Sequence, residues 1–133
     1  MVYKRSQILG EITKNTYCFA VAGTHGKTTT TAILGHILKE VGINATSFLG
    51  GISENYNSNL ILGGDEISIV EADEYDRSFL TLSPEISIIT STDADHLDIY
   101  GSHEYMKESF NLFAQRLNVG GLLFYRQGLP IDV

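Results

Sequence analysis

The chain has 133 residues, 43% of them hydrophobic and 19% charged, enough apolar material for one buried core and too much for disorder. Sixteen acidic residues outnumber nine basic ones, for a net charge of −7, and no basic stripe that would suit nucleic acid is visible. No apolar run approaches the roughly 18 residues of a membrane span, and the N-terminus MVYKRSQILGEITK lacks a signal-peptide core, so a cytoplasmic protein with no membrane partner is expected.

Ser6 to Ile12 is a short helical candidate, with Ile8, Leu9 and Ile12 able to share a face. Tyr17 to Ala22 (YCFAVA) is almost continuously apolar, the pattern of a strand covered on both sides. Its single cysteine, Cys18, is expected to be a buried thiol without redox work. After a glycine turn, Ala32, Ile33, Ile37 and Val41 recur at helical spacing and predict the buried face of a helix that stops at Gly42.

Ala45 to Leu49 reads as a second strand ended by Gly50–Gly51, and SENYNSN (Ser53 to Asn59) as a polar loop. Asn59 to Leu62 and Glu66 to Ala72 flank Gly63–Gly64–Asp65, which predicts a hairpin between those two runs. Glu85 to Thr90 (EISIIT) is a further buried strand. A helix from Ser102 carries Met106, Phe110, Phe113 and Leu117 in register, Gly120–Gly121 closes it, and Leu122 to Tyr125 forms a last strand. Strands alternating with helices predict an α/β fold with a mostly parallel sheet flanked by helices.

Three blocks carry chemistry. Gly23-Thr24-His25-Gly26-Lys27-Thr28 lies between a strand and a helix, where backbone N–H groups and a helix N-terminus can surround phosphate oxygens. In a phosphate loop Lys27 would reach the β and γ phosphates and the Thr28 hydroxyl would ligate Mg²⁺. The usual loop has a glycine five residues before the Gly-Lys pair; Val21 stands there, and Gly23 makes a shortened variant. EADEYD (Glu71 to Asp76) ends the apolar run ISIV, where Glu71 is the first acid and the best placed for a cation. Asp73, Glu74 and Asp76 fit a solvated turn about as well. DADHLDIYG (Asp93 to Gly101) follows EISIIT in the same way and sets His96 between two aspartates, as a ligand for a second cation or a phosphate oxygen. His25 inside the loop is as easily exposed as engaged.

GTHGKTTTT, EADEYD and DADHLDIYG, in this order and spacing, closely resemble the ATP-binding central domain of the Mur ligase family, which also includes folylpolyglutamate synthase. The resemblance runs from about Lys4 to Tyr125 and implies a phosphate-loop NTPase-like domain, truncated here. Residues 1–15 would be the linker helix from an N-terminal domain, and residues 16–133 a partial central domain. The loop histidine and EADE look most like the branch that joins UDP-N-acetylmuramate to L-alanine, with the branch that adds a murein tripeptide close behind. A generic phosphate-loop NTPase is the remaining alternative.

The implied reaction activates a carboxylate with ATP as an acyl phosphate, which an amine then displaces. The resemblance assigns the phosphates to Gly23, Thr24, His25, Gly26, Lys27, Thr28 and Thr29, and Mg²⁺ to Thr28, Glu71 and His96. Lys27, Glu71 and His96 become the catalytic set. Gly50, Gly51, Asn55, Asn57 and Glu74 would face the nucleotide sugar. Several relatives carry a carbamylated lysine about fifteen residues after the histidine matching His96; Ser109-Phe110-Asn111 stands there, and no carbamate is assigned.

Overall fold

The computed structural model describes residues 5–53, 58–92 and 103–132. Six strands form one sheet in the order β3-β2-β4-β1-β5-β6. They are β1 (Tyr17–Ala22), β2 (Thr46–Ser53), β3 (Ser58–Ile61), β4 (Ile67–Glu71), β5 (Ile86–Ile89) and β6 (Leu122–Tyr125). β3 runs antiparallel to β2, and every other neighbouring pair is parallel. The strand with the most continuous apolar run, β1, lies between β4 and β5, as a strand covered on both faces should.

Helix α2 (Lys27–Glu40) covers one face, lying on β2, β4 and β1. The other face carries α1 (Arg5–Lys14), the 3-10 helix η1 (Tyr75–Thr81) and α3 (His103–Ala114). Strand alternation sorts the side chains. Cys18, Ala20, Ala22 and Val70 join Leu9, Phe79, Met106, Phe110 and Phe113 in the main core. Phe79 stacks on Phe113 at 4.8 Å and meets Phe110 edge-on at 5.6 Å, so three rings pin η1 to α3. Helix α1 is part of this packing: Leu9 is buried, and the Thr13 hydroxyl accepts a hydrogen bond from the Ser83 N–H at 3.1 Å.

Three expectations need correction, besides the end of α3, which stops at Ala114 and leaves Leu117 and Gly120–Gly121 beyond it. The hairpin partner of β3 is β2, not β4, because β2 lies between them. Gly63–Gly64 crosses close over the start of β2; a Cβ at Gly63 would collide with the Ala45 carbonyl, and the Thr46 hydroxyl bonds both the Gly64 carbonyl and the Gly63 N–H. Glycine there permits a crossing where a tight turn was read. Strand β2 also continues through Gly50 and Gly51 to Ser53, and its pairing with β3 shifts register between Phe48 and Ser53.

The face of α2 is the third. Ile33, Ile37 and Val41 are 54%, 51% and 67% exposed, while Thr31 and Leu38 are buried. Gly35 lets the helix approach the sheet, since a Cβ there would lie 3.2 Å from Ser47 Oγ. The sheet-facing stripe therefore contains a threonine and a glycine, and hydrophobicity pointed to the wrong side. The sequence also gave no sign of η1, whose Phe79 is fully buried.

Candidate active site

The carboxyl ends of β1, β4 and β5 lie side by side, with Val21 opposite Glu71 and Ala22 opposite Ile89. Ligands of open parallel sheets bind beyond such ends. The segment leaving β1 is anchored to the end of β5. Thr24 N–H donates to the Ser91 carbonyl at 3.2 Å, and His25 N–H to Ser91 Oγ at 3.0 Å. Thr90 Oγ1 donates to the carbonyls of His25 at 2.5 Å and Ala22 at 3.2 Å. A Cβ on Gly23 would run into that threonine hydroxyl, so glycine is what allows the close approach. Thr90 and Ser91 thus shape the loop, a role not expected of them from the sequence. The hydroxyl run Thr90-Ser91-Thr92 directly after EISII was the available signal.

Gly26 is left-handed, with φ 81°, and caps α2 without a side-chain hydrogen bond. The first turn of α2 therefore presents N–H groups that no side chain caps, at the positive end of the helix dipole. His25 and Thr29 are exposed there. Lys27 and Thr28, on the first turn, reach across to the segment that follows β4. Lys27 Nζ lies 2.6 Å from Glu74 Oε2, and Thr28 Oγ1 donates to Glu71 Oε1 at 2.9 Å. Both carboxylates are buried, Glu71 at 6% and Glu74 at 4% exposure.

Lys27, Thr28, Glu71 and Glu74 therefore meet in one place. The Thr28 hydroxyl and Glu71 carboxylate form a pair of hard oxygen donors beside a lysine, a set that suits Mg²⁺ next to phosphate. Among the described residues no three His, Cys, Asp or Glu side chains cluster as a metal cage. A cation here would need oxygens from elsewhere, as Mg²⁺ sites that use substrate phosphates do. His96, Asn55 and Asn57 lie outside the described residues. Gly50 and Gly51 lie within β2. A cleft of about 230 Å³ borders Glu71 and Asp73 on the side of α1, with Arg5 and Thr81 among its walls.

Fold and site define a phosphate-loop α/β domain with a shortened loop and a carboxylate at the neighbouring strand end. The family described as the Mur ligase middle domain matches residues 21–128. The chain belongs to the Mur ligase family. The UDP-N-acetylmuramate–L-alanine ligase of Christiangramia forsetii is 60% identical over 131 residues, which are 98% of this chain and 29% of that protein. The ligase of the same name from Flavobacterium psychrophilum is 59% identical, with the same coverage. The chain thus spans about 29% of the length of these curated relatives.

Among solved structures, the UDP-N-acetylmuramate:L-alanyl-γ-D-glutamyl-meso-diaminopimelate ligase of Neisseria meningitides matches with a TM-score of 0.81 at 26% identity. That match covers 92% of this chain and 43% of the other. The UDP-N-acetylmuramate-alanine ligase of Thermotoga maritima matches with a TM-score of 0.75 at 31% identity, covering 93% and 28%. No helix among the described residues is long and apolar enough to cross a membrane.

Proposed function

We propose that this domain is the ATP-binding unit of a cytoplasmic ligase that joins L-alanine to UDP-N-acetylmuramate in peptidoglycan synthesis. The observation that carries the reading is the meeting of Lys27, Thr28 and Glu71 behind an uncapped helix N-terminus. Sequence identity of 60% to an alanine ligase supports that branch, and among solved structures the Thermotoga maritima alanine ligase is 31% identical against 26% for the Neisseria meningitides tripeptide ligase.

In this reading the lactyl carboxylate of the sugar attacks the γ-phosphorus of ATP, ADP leaves, and an acyl phosphate forms. The amine of L-alanine then attacks the acyl carbon; phosphate departs and the amine loses its proton to give the amide. The enzyme's part is placement and charge neutralisation. Loop N–H groups and Lys27 bind the phosphates, with Gly23, Thr24, His25, Gly26 and Thr29 forming the cradle. Thr28 and Glu71 would hold Mg²⁺, which when bound supplies positive charge to the phosphates; His96 would serve a second ion. Gly50, Gly51, Asn55 and Asn57 are proposed to face the sugar, and Glu74 to lie close to the reacting groups.

The test is ATP hydrolysis by the intact enzyme. UDP-N-acetylmuramate with L-alanine should stimulate ADP release, whereas the same sugar with murein tripeptide, or folate with glutamate, should not. Stimulation by tripeptide alone would move the protein to the other branch, and stimulation by neither sugar pair would overturn the reading. The 133-residue chain by itself is expected to release no alanine-dependent phosphate.

A further inference from the structure

The phosphate lysine already has an anion. Lys27 Nζ is 2.6 Å from Glu74 Oε2, and the two side chains are 18% and 4% exposed. Glu74 opens η1 with helical backbone and no side-chain capping bond of its own, so its carboxylate is directed at the lysine and not at its helix. The Glu74 carbonyl accepts the Arg77 N–H at 3.0 Å. Arg77 in turn is tied to α3: Nε donates to Ser109 Oγ at 2.8 Å, and the guanidinium lies 4.2 Å over the Tyr105 ring. The carboxylate is thus carried on an element anchored at its other side, with little water to receive it.

We propose that Glu74 is an internal stand-in for phosphate, which holds Lys27 while the loop is empty and must give it up when a nucleotide phosphate arrives. The inference rests on the reading of Gly23–Thr28 as a phosphate loop. Its physical basis is that a phosphate and a carboxylate on one ammonium group repel each other, and the repulsion is strong where screening is poor. Glu74 therefore keeps the lysine extended and pre-placed, at the expense of nucleotide affinity.

The experiment measures ADP binding to the protein and to Glu74→Gln by equilibrium dialysis. The amide keeps the shape and a hydrogen-bond acceptor for Lys27 but removes the competing charge. Glu74→Gln is expected to bind ADP about tenfold more tightly, the scale set by removing one poorly screened like charge. A merely structural glutamate would give unchanged or weaker binding on substitution, and either result overturns the proposal. Absence of ADP binding by both forms overturns the phosphate-loop reading and the proposal together. Measurable binding by the unsubstituted protein with no gain in the variant overturns the proposal alone. Carbon-13 NMR of the Glu74 Cδ in the unsubstituted protein reads the same event without a stable variant. Its resonance should shift on saturation with ADP, and an unmoved resonance overturns the exchange.

Discussion

Lys27 is paired with Glu74, and the proposed function gives it a second duty toward a nucleotide. Breaking a fully buried ion pair from one side costs about 3–5 kcal/mol. Lys27 is 18% exposed, so solvent discounts this, and Lys27→Ala should lower unfolding stability by roughly 2 kcal/mol in urea titration while abolishing ADP binding. Glu71→Gln keeps a partner for the Thr28 hydroxyl but removes a charged oxygen donor. It should leave metal-free nucleotide binding intact and weaken its enhancement by Mg²⁺, as paired titrations with and without the ion would show. Cys18 illustrates the opposite kind of residue. Its thiol is raised from 9.0 to about 12, chiefly by burial, with a Ser68 hydrogen bond lowering it and the charge of Glu85 raising it. The native state therefore holds this proton more tightly than the unfolded chain. The resulting stability is complete below pH 9.0 and disappears as pH rises toward about 12. Cys18→Ala should show a shallower loss across that window in alkaline denaturation, and native Cys18 should resist iodoacetamide near neutral pH.

The element that most shapes the site is η1, which presents Glu74 and seats Phe79 between α1 and α3. Its one unusual residue is Arg77, with φ 54°, a left-handed backbone that costs a non-glycine side chain about 1 kcal/mol. Contacts with Ser109 and Tyr105 offset that cost. Arg77→Ala should destabilise the domain by about 1–2 kcal/mol, because the clamp is lost and the strain is kept. Arg77→Gly should be milder, since glycine relieves the backbone, and chemical denaturation of the three proteins would test the order arginine, glycine, alanine. This element was illegible beforehand, for a reason visible in its residues: YDRSFLT has one deeply buried aromatic and no period long enough to declare a helix. The strand–turn–helix around Gly23 to Lys27, by contrast, was legible from the apolar run before it and its two glycines. Its Gly-Lys-Thr order is the one that the proposed phosphate and metal binding would require locally. Its braces, Thr90 and Ser91, come from the end of β5, more than sixty residues away in sequence.

At the scale of the molecule, the two faces of the sheet differ in completeness. One is sealed by Phe79, Phe110 and Phe113; on the other, Ile33 and Ile37 of α2 and Leu122 and Phe124 of β6 are half exposed. Phe113→Ala should cost about 3–5 kcal/mol of stability in this chain. Ile37→Lys should change it by no more than about 0.5 kcal/mol. A large loss for Ile37→Lys would return α2 to the orientation its hydrophobic stripe suggested.

The sequence by itself determined the α/β class, the strand–loop–helix at Lys27, the carboxylate after β4 and the family to which the domain belongs. These depend on local chemistry: apolar runs of strand length, glycines before a helix, an acid ending a buried strand. Only the tertiary structure decided that β2 separates β3 from β4, that α2 turns Thr31 and Gly35 toward the sheet, and that Glu74 pairs with Lys27. Each of these is settled by what lies across the fold, where strand order, close approach and a buried charge's need for a partner outweigh local preference.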